Sequence, residues 1–122
     1  IMENVKFRVL AGDDDGGALE IIKMYLEDIA QVATVSSGKE ALQYVQDYPV
    51  DIILLDITMP VLDGLGALEK IIAYDENAHA VMVTAAGQKN KMVDAIKLGA
   101  NEFVQKPFEP DQILSVIGNI TK

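Results

Sequence analysis

Side chains that can do chemistry follow four of the short apolar runs in this sequence of 122 residues. They are the run Asp13-Asp14-Asp15, the carboxyl group of Asp56, the hydroxyl of Thr84 and the ammonium of Lys106. Two carboxylates about 4 Å apart repel each other by on the order of 4 kcal/mol at an effective dielectric of about 20, so a cluster of them needs a cation or a proton. Hard oxygen ligands suit Mg²⁺, which keeps several waters and leaves room for phosphate oxygens. With a hydroxyl and an ammonium to hold an oxyanion, these are the groups that stabilise an in-line phosphoryl transfer.

The elements that must position these residues are five β-strands alternating with five α-helices. The strands are predicted at 7–11, 32–35, 50–55, 80–83 and 102–105. The stretches between them repeat apolar residues at helical spacing, as in Leu19, Ile22, Leu26 and Ile29. This alternation predicts an α/β fold with right-handed crossovers and a parallel sheet covered by helices on both faces. Functional residues of such sheets collect beyond the carboxyl ends of the strands, so the four groups are expected to meet at one edge.

Helix boundaries are marked by local signals. Ser37 and Glu40 have the spacing of a capping box at the start of the second helix. Gly99 is typical of a helix C-terminus, and Pro110 of the first turn of the last helix. The apolar spacing predicts core positions for Met24, Met82 and Met92.

Composition and charge exclude several classes of protein. Nineteen acidic residues against ten basic ones give a formal net charge of −9, which would repel nucleic acid and anionic membranes, so no direct nucleic-acid binding is expected. The sequence contains no cysteine, which excludes disulfides, thiolate metal sites and a cysteine nucleophile. Its longest apolar run is far shorter than the ~20 residues that cross a bilayer, so no membrane insertion is expected. A cytoplasmic location is expected, and the absence of cysteine is compatible with it. The length fits one domain over 1–122, with Ile1 interpreted as a trimmed end and Met2 as the natural start.

Each candidate residue also has an ordinary structural interpretation. The aspartates at 13–15 could form a solvated turn that caps a helix, Thr84 is a common strand residue, and Lys106 could be surface charge. Taken singly, these interpretations are preferable. The joint position of these residues after different parallel strands favours a functional site.

The sequence resembles the receiver domains of two-component response regulators, most closely the chemotaxis type. Ile53-Leu54-Leu55-Asp56-Ile57-Thr58-Met59-Pro60, followed by Asp63-Gly64, is similar to their phosphoacceptor region. Val83-Thr84-Ala85 resembles their switch-threonine strand, and Val104-Gln105-Lys106-Pro107-Phe108 their lysine–proline motif. The resemblance covers almost the entire chain. It implies a flavodoxin-like, doubly wound sheet of strand order 2-1-3-4-5, an order taken from the family and not from the residues.

The resemblance also implies a role for each site residue. Asp56 would accept a phosphoryl group from a sensor histidine kinase or a phosphotransfer protein. Asp13 and Asp14 would form the acidic pair of a Mg²⁺ site, which Mn²⁺ could also fill; Asp14, Asp56 and the backbone carbonyl of Thr58 would be the direct ligands. Lys106 would bridge phosphate and acid, with a cis bond to the following proline. The domain would catalyse only its own phosphorylation and dephosphorylation.

The switch and its partners are implied in the same way. Thr84 would move toward the new phosphate, and Phe103 would rotate inward to fill the space vacated. The affected surface would be the last two helices and the last strand, facing a downstream output protein or domain or the same surface of a second copy in a homodimer.

Three features depart from the family pattern. Three consecutive aspartates leave Asp14–Asp15 open as the acidic pair instead of Asp13–Asp14. The pair Gly16-Gly17 leaves open a later start of the first helix. Phe103 has no hydroxyl, so any switching by this ring rests on packing alone.

One enzyme class remains as an alternative. Asp13-Asp14-Asp15-Gly16-Gly17 after a strand looks like the motif of haloacid dehalogenase-type phosphatases, with Asp13 as nucleophile and Asp15 as acid. Against this alternative, the sequence offers no acidic pair after a strand beyond Lys106 and no cap segment.

Overall fold

Strands and helices alternate along the whole of the described chain. The computed structural model describes residues 7–59, 62–85 and 87–121. Its strands are β1 Phe7–Gly12, β2 Ala30–Val35, β3 Ile52–Asp56, β4 Ala80–Thr84 and β5 Glu102–Gln105. Its helices are α1 Gly16–Leu26, α2 Gly38–Asp47, α3 Gly64–Tyr74, α4 Lys89–Leu98 and α5 Pro110–Thr121. Ile1, Met2 and Pro60 lie outside the described residues.

All five strands are parallel and form one sheet in the order β2-β1-β3-β4-β5. This confirms the expected fold class and strand order. Every residue of β3 and β4 is buried, as their apolar sequences require for strands covered on both faces. One apolar layer joins the sheet to α1 and α5, and a second joins the other face to α2, α3 and α4.

Two helix starts show how the sequence fixes the loops at the carboxyl edge of the sheet. α1 begins at Gly16, because the Asp15 side chain caps it by accepting the N–H of Gly17 at 2.9 Å. The later start is therefore not observed, and Ile29 lies beyond the end of this helix. The capping box of α2 is only half formed: Ser37 accepts the N–H of Glu40, but the Glu40 carboxylate accepts from Ser36.

One boundary of each of the last two helices was predicted, and both are confirmed. α4 ends at Leu98 with Gly99 as its C-cap, whose φ of 112° is a left-handed conformation that favours glycine. α5 begins at Pro110. None of the helices in the described part of the chain is long and apolar enough to cross a membrane.

Candidate functional site

Four side chains named from the sequence meet at the carboxyl edge of the sheet. Asp13 directly follows β1, Asp56 and Thr84 are the last residues of β3 and β4, and Lys106 directly follows β5. The strand register aligns these ends, since Gly12 pairs with Leu55 and the neighbouring strands continue the alignment. Within the described ranges, the buried polar or charged residues are Asp13, Asp56 and Thr84.

Lys106 joins the two buried carboxylates. Its Nζ lies 2.6 Å from Oδ2 of Asp13 and 3.6 Å from Oδ2 of Asp56. Burial alone would lower the pKa of Lys106, but the hydrogen bond to Asp13 and the negative charges of Asp13, Asp56 and Asp15 outweigh it, so the pKa is raised. The ammonium therefore stays charged at the centre of the site. The Lys106–Pro107 peptide bond is cis, as the resemblance implied.

The carboxylate of Asp56 is held in an unfavourable environment. Asp56 is 7% exposed, and burial together with the negative charge of Asp13 raises its pKa from 3.8 to about 6. The charge of Lys106 and the backbone N–H of Thr58 act in the opposite direction but do not cancel these effects. An additional cation beside Asp56 would relieve the repulsion.

The structure places three carboxylates where one cation could bind. Oxygen atoms of Asp13, Asp14 and Asp56 lie within 4.8 Å of one another. Hard oxygen donors in this number fit Mg²⁺, which completes its shell with water. The Asp15 side chain has a different role, because it caps the N-terminus of α1. The geometry thus favours Asp13–Asp14 over Asp14–Asp15 as the acidic pair.

The backbone beside Asp56 depends on a close approach at Gly64. A Cβ atom on Gly64 would lie 2.1 Å from the carbonyl oxygen of Asp56 and 2.7 Å from Cα of Ile57. The Gly64 N–H donates to the Ile57 carbonyl at 2.7 Å, and Asp63 caps α3 through the N–H of Gly66. In the sequence, Asp63-Gly64 is recognisable only as part of the resemblance to receiver domains. The physical requirement is that α3 begins in contact with the end of β3.

The proposed switch residues lie in different surroundings. The Thr84 hydroxyl is buried and donates to the carbonyl of Val104 at 3.5 Å, a long and therefore weak hydrogen bond. Phe103 is 43% exposed, so its ring lies at the surface of the protein. The structure therefore brings Thr84 to the site and leaves Phe103 outside it.

Two side-chain hydrogen bonds of Gln88 beside the site could not be predicted from the sequence. Gln88, just before α4, accepts the N–H of Ala85 through Oε1 at 2.7 Å and donates through Nε2 to the Thr58 hydroxyl at 2.6 Å. Thr58 lies 30 positions earlier in the chain. Only the fold brings these residues together, and no local pattern signals the contact.

A doubly wound parallel sheet with an acidic cluster, a buried threonine and a lysine at its carboxyl edge defines a class of flavodoxin-like α/β proteins. The family model "Response regulator receiver domain" matches residues 9–118, so the chain belongs to the response regulator receiver domain family. Members of this family are phosphorylation-dependent signalling switches of two-component systems rather than classical enzymes.

Individual relatives agree with this assignment. The chain is 43% identical over 95 residues to "Chemotaxis protein CheY" of Listeria monocytogenes, covering 78% of this chain and 80% of the relative. It is 34% identical over 116 residues to "Chemotaxis protein CheY" of Bacillus subtilis, covering 90% and 93%. Among solved structures, a receiver domain protein from Clostridium thermocellum matches with a TM-score of 0.87 and 29% identity over 93% of each chain. Chemotaxis protein CheY4 of Vibrio cholerae matches with a TM-score of 0.88 and 26% identity, covering 95% and 99%.

Proposed function

We propose that Asp56 accepts a phosphoryl group from a sensor histidine kinase or a phosphotransfer protein and thereby switches the surface recognised by an output partner. The observation that carries the proposal is the position of Asp56: buried, beside Asp13 and 3.6 Å from the ammonium of Lys106. Receiver domains generally bind Mg²⁺ at an acidic pocket and interact with histidine kinases or phosphotransfer proteins and with output domains.

Each residue of the site would have a distinct role. Asp13, Asp14, Asp56 and the backbone carbonyl of Thr58 would hold Mg²⁺ or Mn²⁺, which supplies positive charge against the phosphoryl oxygens. Lys106 is already charged and would bind another of those oxygens. The domain would in this way catalyse only its own phosphorylation and dephosphorylation.

The signal would leave the site through Thr84 and Phe103. A phosphoryl oxygen is a stronger acceptor than the Val104 carbonyl that Thr84 reaches at 3.5 Å, so the hydroxyl would move toward Asp56. The output surface would comprise α4, β5 and α5, where several large apolar side chains are exposed: Val93, Ile96, Phe103 and Leu114. This surface would bind an output protein or domain, or a second copy in a homodimer. A cytoplasmic location and the lack of direct nucleic-acid binding remain predictions.

Phosphorylation by a small donor tests the proposal directly. The protein would be incubated with acetyl phosphate and Mg²⁺, and its intact mass measured with and without a chelator. We expect a metal-dependent phosphoryl adduct that Asp56→Asn abolishes and that the exposed-site control Asp28→Asn retains. Turnover of a phosphomonoester that is lost in Asp13→Asn, with no adduct at Asp56, would instead support the phosphatase alternative.

The acidic pair can be assigned by two matched variants. Asp14→Asn removes a carboxylate of the three-residue cluster and is expected to weaken Mg²⁺ binding by at least about ten-fold. Asp15→Asn keeps an equally good helix cap, so Mg²⁺ binding should not change. Titration with Mg²⁺ followed by NMR chemical shifts would measure both. A loss of Mg²⁺ affinity in Asp15→Asn as large as that in Asp14→Asn would instead assign the pair to Asp14–Asp15.

A further inference from the structure

Gln88 connects the chain segments that follow the two central strands. Its Oε1 accepts the N–H of Ala85, the residue after Thr84, at 2.7 Å. Its Nε2 donates to the hydroxyl of Thr58, two residues beyond Asp56, at 2.6 Å. A single carboxamide thus ties the chain beyond β4 to the chain beyond β3, beside the proposed acceptor.

The two hydrogen bonds of the Gln88 side chain are unusual for a residue at the start of a helix. Gln88 occupies the N-cap position of α4, where a side chain would ordinarily accept an N–H of the first helical turn. Its side chain instead reaches back to Ala85 and across to Thr58. The start of α4 is therefore fastened to the segment that follows Asp56.

We propose that Gln88 is a positioning residue whose carboxamide clamps Ala85 to Thr58, fixes the position of the Thr84–Ala85 peptide, and must release when Asp56 is phosphorylated. This inference rests on the proposed function of Asp56. Thr84 and Ala85 share a peptide unit, so Thr84 cannot shift toward Asp56 without straining the bond from Ala85 to Gln88. The hydroxyl of Thr84 is only weakly held at 3.5 Å, so this side chain resists a shift less than the hydrogen bonds of the peptide unit do. Those bonds are the one from the Ala85 N–H to Gln88 and the one from the Lys106 N–H to the Thr84 carbonyl, both at 2.7 Å.

The same clamp gives the site a route to α4. When the bond to Ala85 breaks, Gln88, the residue just before α4, no longer joins Ala85 to Thr58. The helix start is then free to follow Thr84, and the exposed side of α4 can change with the state of Asp56.

The test measures equilibrium binding of beryllium trifluoride with Mg²⁺, a phosphoryl analogue that needs a free aspartate. Half-saturating concentrations would be determined by NMR for the full chain, for Gln88→Ala, for Thr58→Val and for the double variant. Gln112→Ala is a matched control, since Gln112 makes the same local bond to the N–H of Glu109 at the start of α5. The amide resonance of Ala85 reports the loss of the clamp independently of binding.

We expect Gln88→Ala to lower the half-saturating concentration by about five-fold, which corresponds to about 1 kcal/mol at 1.4 kcal/mol per ten-fold. Thr58→Val should lower it less, because the bond to Ala85 remains, and the double variant should match Gln88→Ala. Gln112→Ala should leave it unchanged. An unchanged or raised concentration in Gln88→Ala, additive effects in the double variant, or an equal effect of Gln112→Ala would overturn the clamp. If the unaltered protein itself does not bind the analogue through Asp56, the proposed function fails instead.

Discussion

Replacing Asp56 by asparagine is expected to stabilise the metal-free protein at neutral pH. Asparagine keeps the shape of the side chain and removes the charge that burial and the neighbouring Asp13 disfavour. The pKa of Asp56 is raised from 3.8 to about 6, and about 1.36 kcal/mol per pKa unit makes this a destabilisation of roughly 3 kcal/mol when the carboxylate is fully ionised. The amide N–H groups of asparagine need hydrogen-bond acceptors of their own, which offsets part of this gain. We therefore expect the free energy of unfolding of the variant to be higher by on the order of 1–3 kcal/mol.

The pH dependence follows from the sign of this shift. The folded state binds the proton of Asp56 more tightly than the unfolded state, so ionisation of this group lowers stability as the pH rises between about 4 and 6. Above pH 6 the full difference between the two proteins should be present. Below pH 4 the carboxyl group is protonated in both states, and the difference should shrink toward zero.

Urea unfolding in EDTA at several pH values measures this difference. Asp28→Asn serves as the control, because it removes one negative charge from an exposed position. Mg²⁺ should then stabilise the unaltered protein more than the Asp56→Asn variant, which reduces the gap. An Asp56→Asn variant that is no more stable than the unaltered protein at pH 7.5, or a gap that persists at pH 4, would refute the reasoning.

Two further substitutions test the scaffold of the site. Gly64→Ala should lower the free energy of unfolding by at least about 2 kcal/mol, because its Cβ would lie 2.1 Å from the carbonyl oxygen of Asp56. The control Gly118→Ala lies at an open position of α5 and should raise the free energy of unfolding by about 0.5–1 kcal/mol. Both are measured by urea unfolding, and equal effects of the two alanines would contradict the close approach. Lys106→Met should cost about 1–3 kcal/mol, since Asp13 loses its partner at 2.6 Å while Lys106 itself is partly exposed, and it should slow phosphorylation by acetyl phosphate. A variant that is fully stable and phosphorylated at the normal rate would show that the ion pair contributes neither effect.

The strand ends could be predicted from the sequence because two strong regularities coincide. β3 and β4 are continuous apolar runs, which fixes them as central strands, and parallel strands bring their carboxyl ends to one edge. Asp56 and Thr84 therefore had to be neighbours of the residues that end β1 and β5. The strand order came from the family resemblance, since alternation alone is compatible with several orders.

Apolar spacing was less informative about which side of a helix is buried. Met24 was expected in the core and is 65% exposed, so that prediction was wrong. In α4 the buried residue is Ala95, while Val93 and Ile96 are each 48% exposed. A small residue lets the helix approach the sheet closely, and the larger apolar side chains then remain outside. Periodicity identifies the helix but cannot separate an apolar face that packs from one left at the surface.

Contacts between distant segments were beyond sequence reasoning. The need for glycine at position 64 comes from the carbonyl of Asp56, and the bonds of Gln88 come from Thr58. Each depends on how two loops meet after the sheet has formed. Such contacts carry no local signal, although they shape the backbone on which the site stands.

The excess negative charge of the site destabilises the metal-free protein, and the proposed binding of a cation requires the same charge. Three carboxylates and one ammonium leave two negative charges uncompensated at the carboxyl edge, and Lys106 lies closer to Asp13 than to Asp56. Burial and, after it, the negative charge of Asp13 raise the pKa of Asp56 to about 6, so Asp56 is the carboxylate whose ionisation costs free energy. A divalent cation would neutralise the excess, and the folded protein alone presents the ligands together, so binding energy and folding energy are coupled. A more stable site, with Asp56 neutral or fully paired, would lose the affinity for the cation and the reactive carboxylate together. The destabilised carboxylate is therefore best understood as a requirement of the proposed chemistry rather than a defect of the fold.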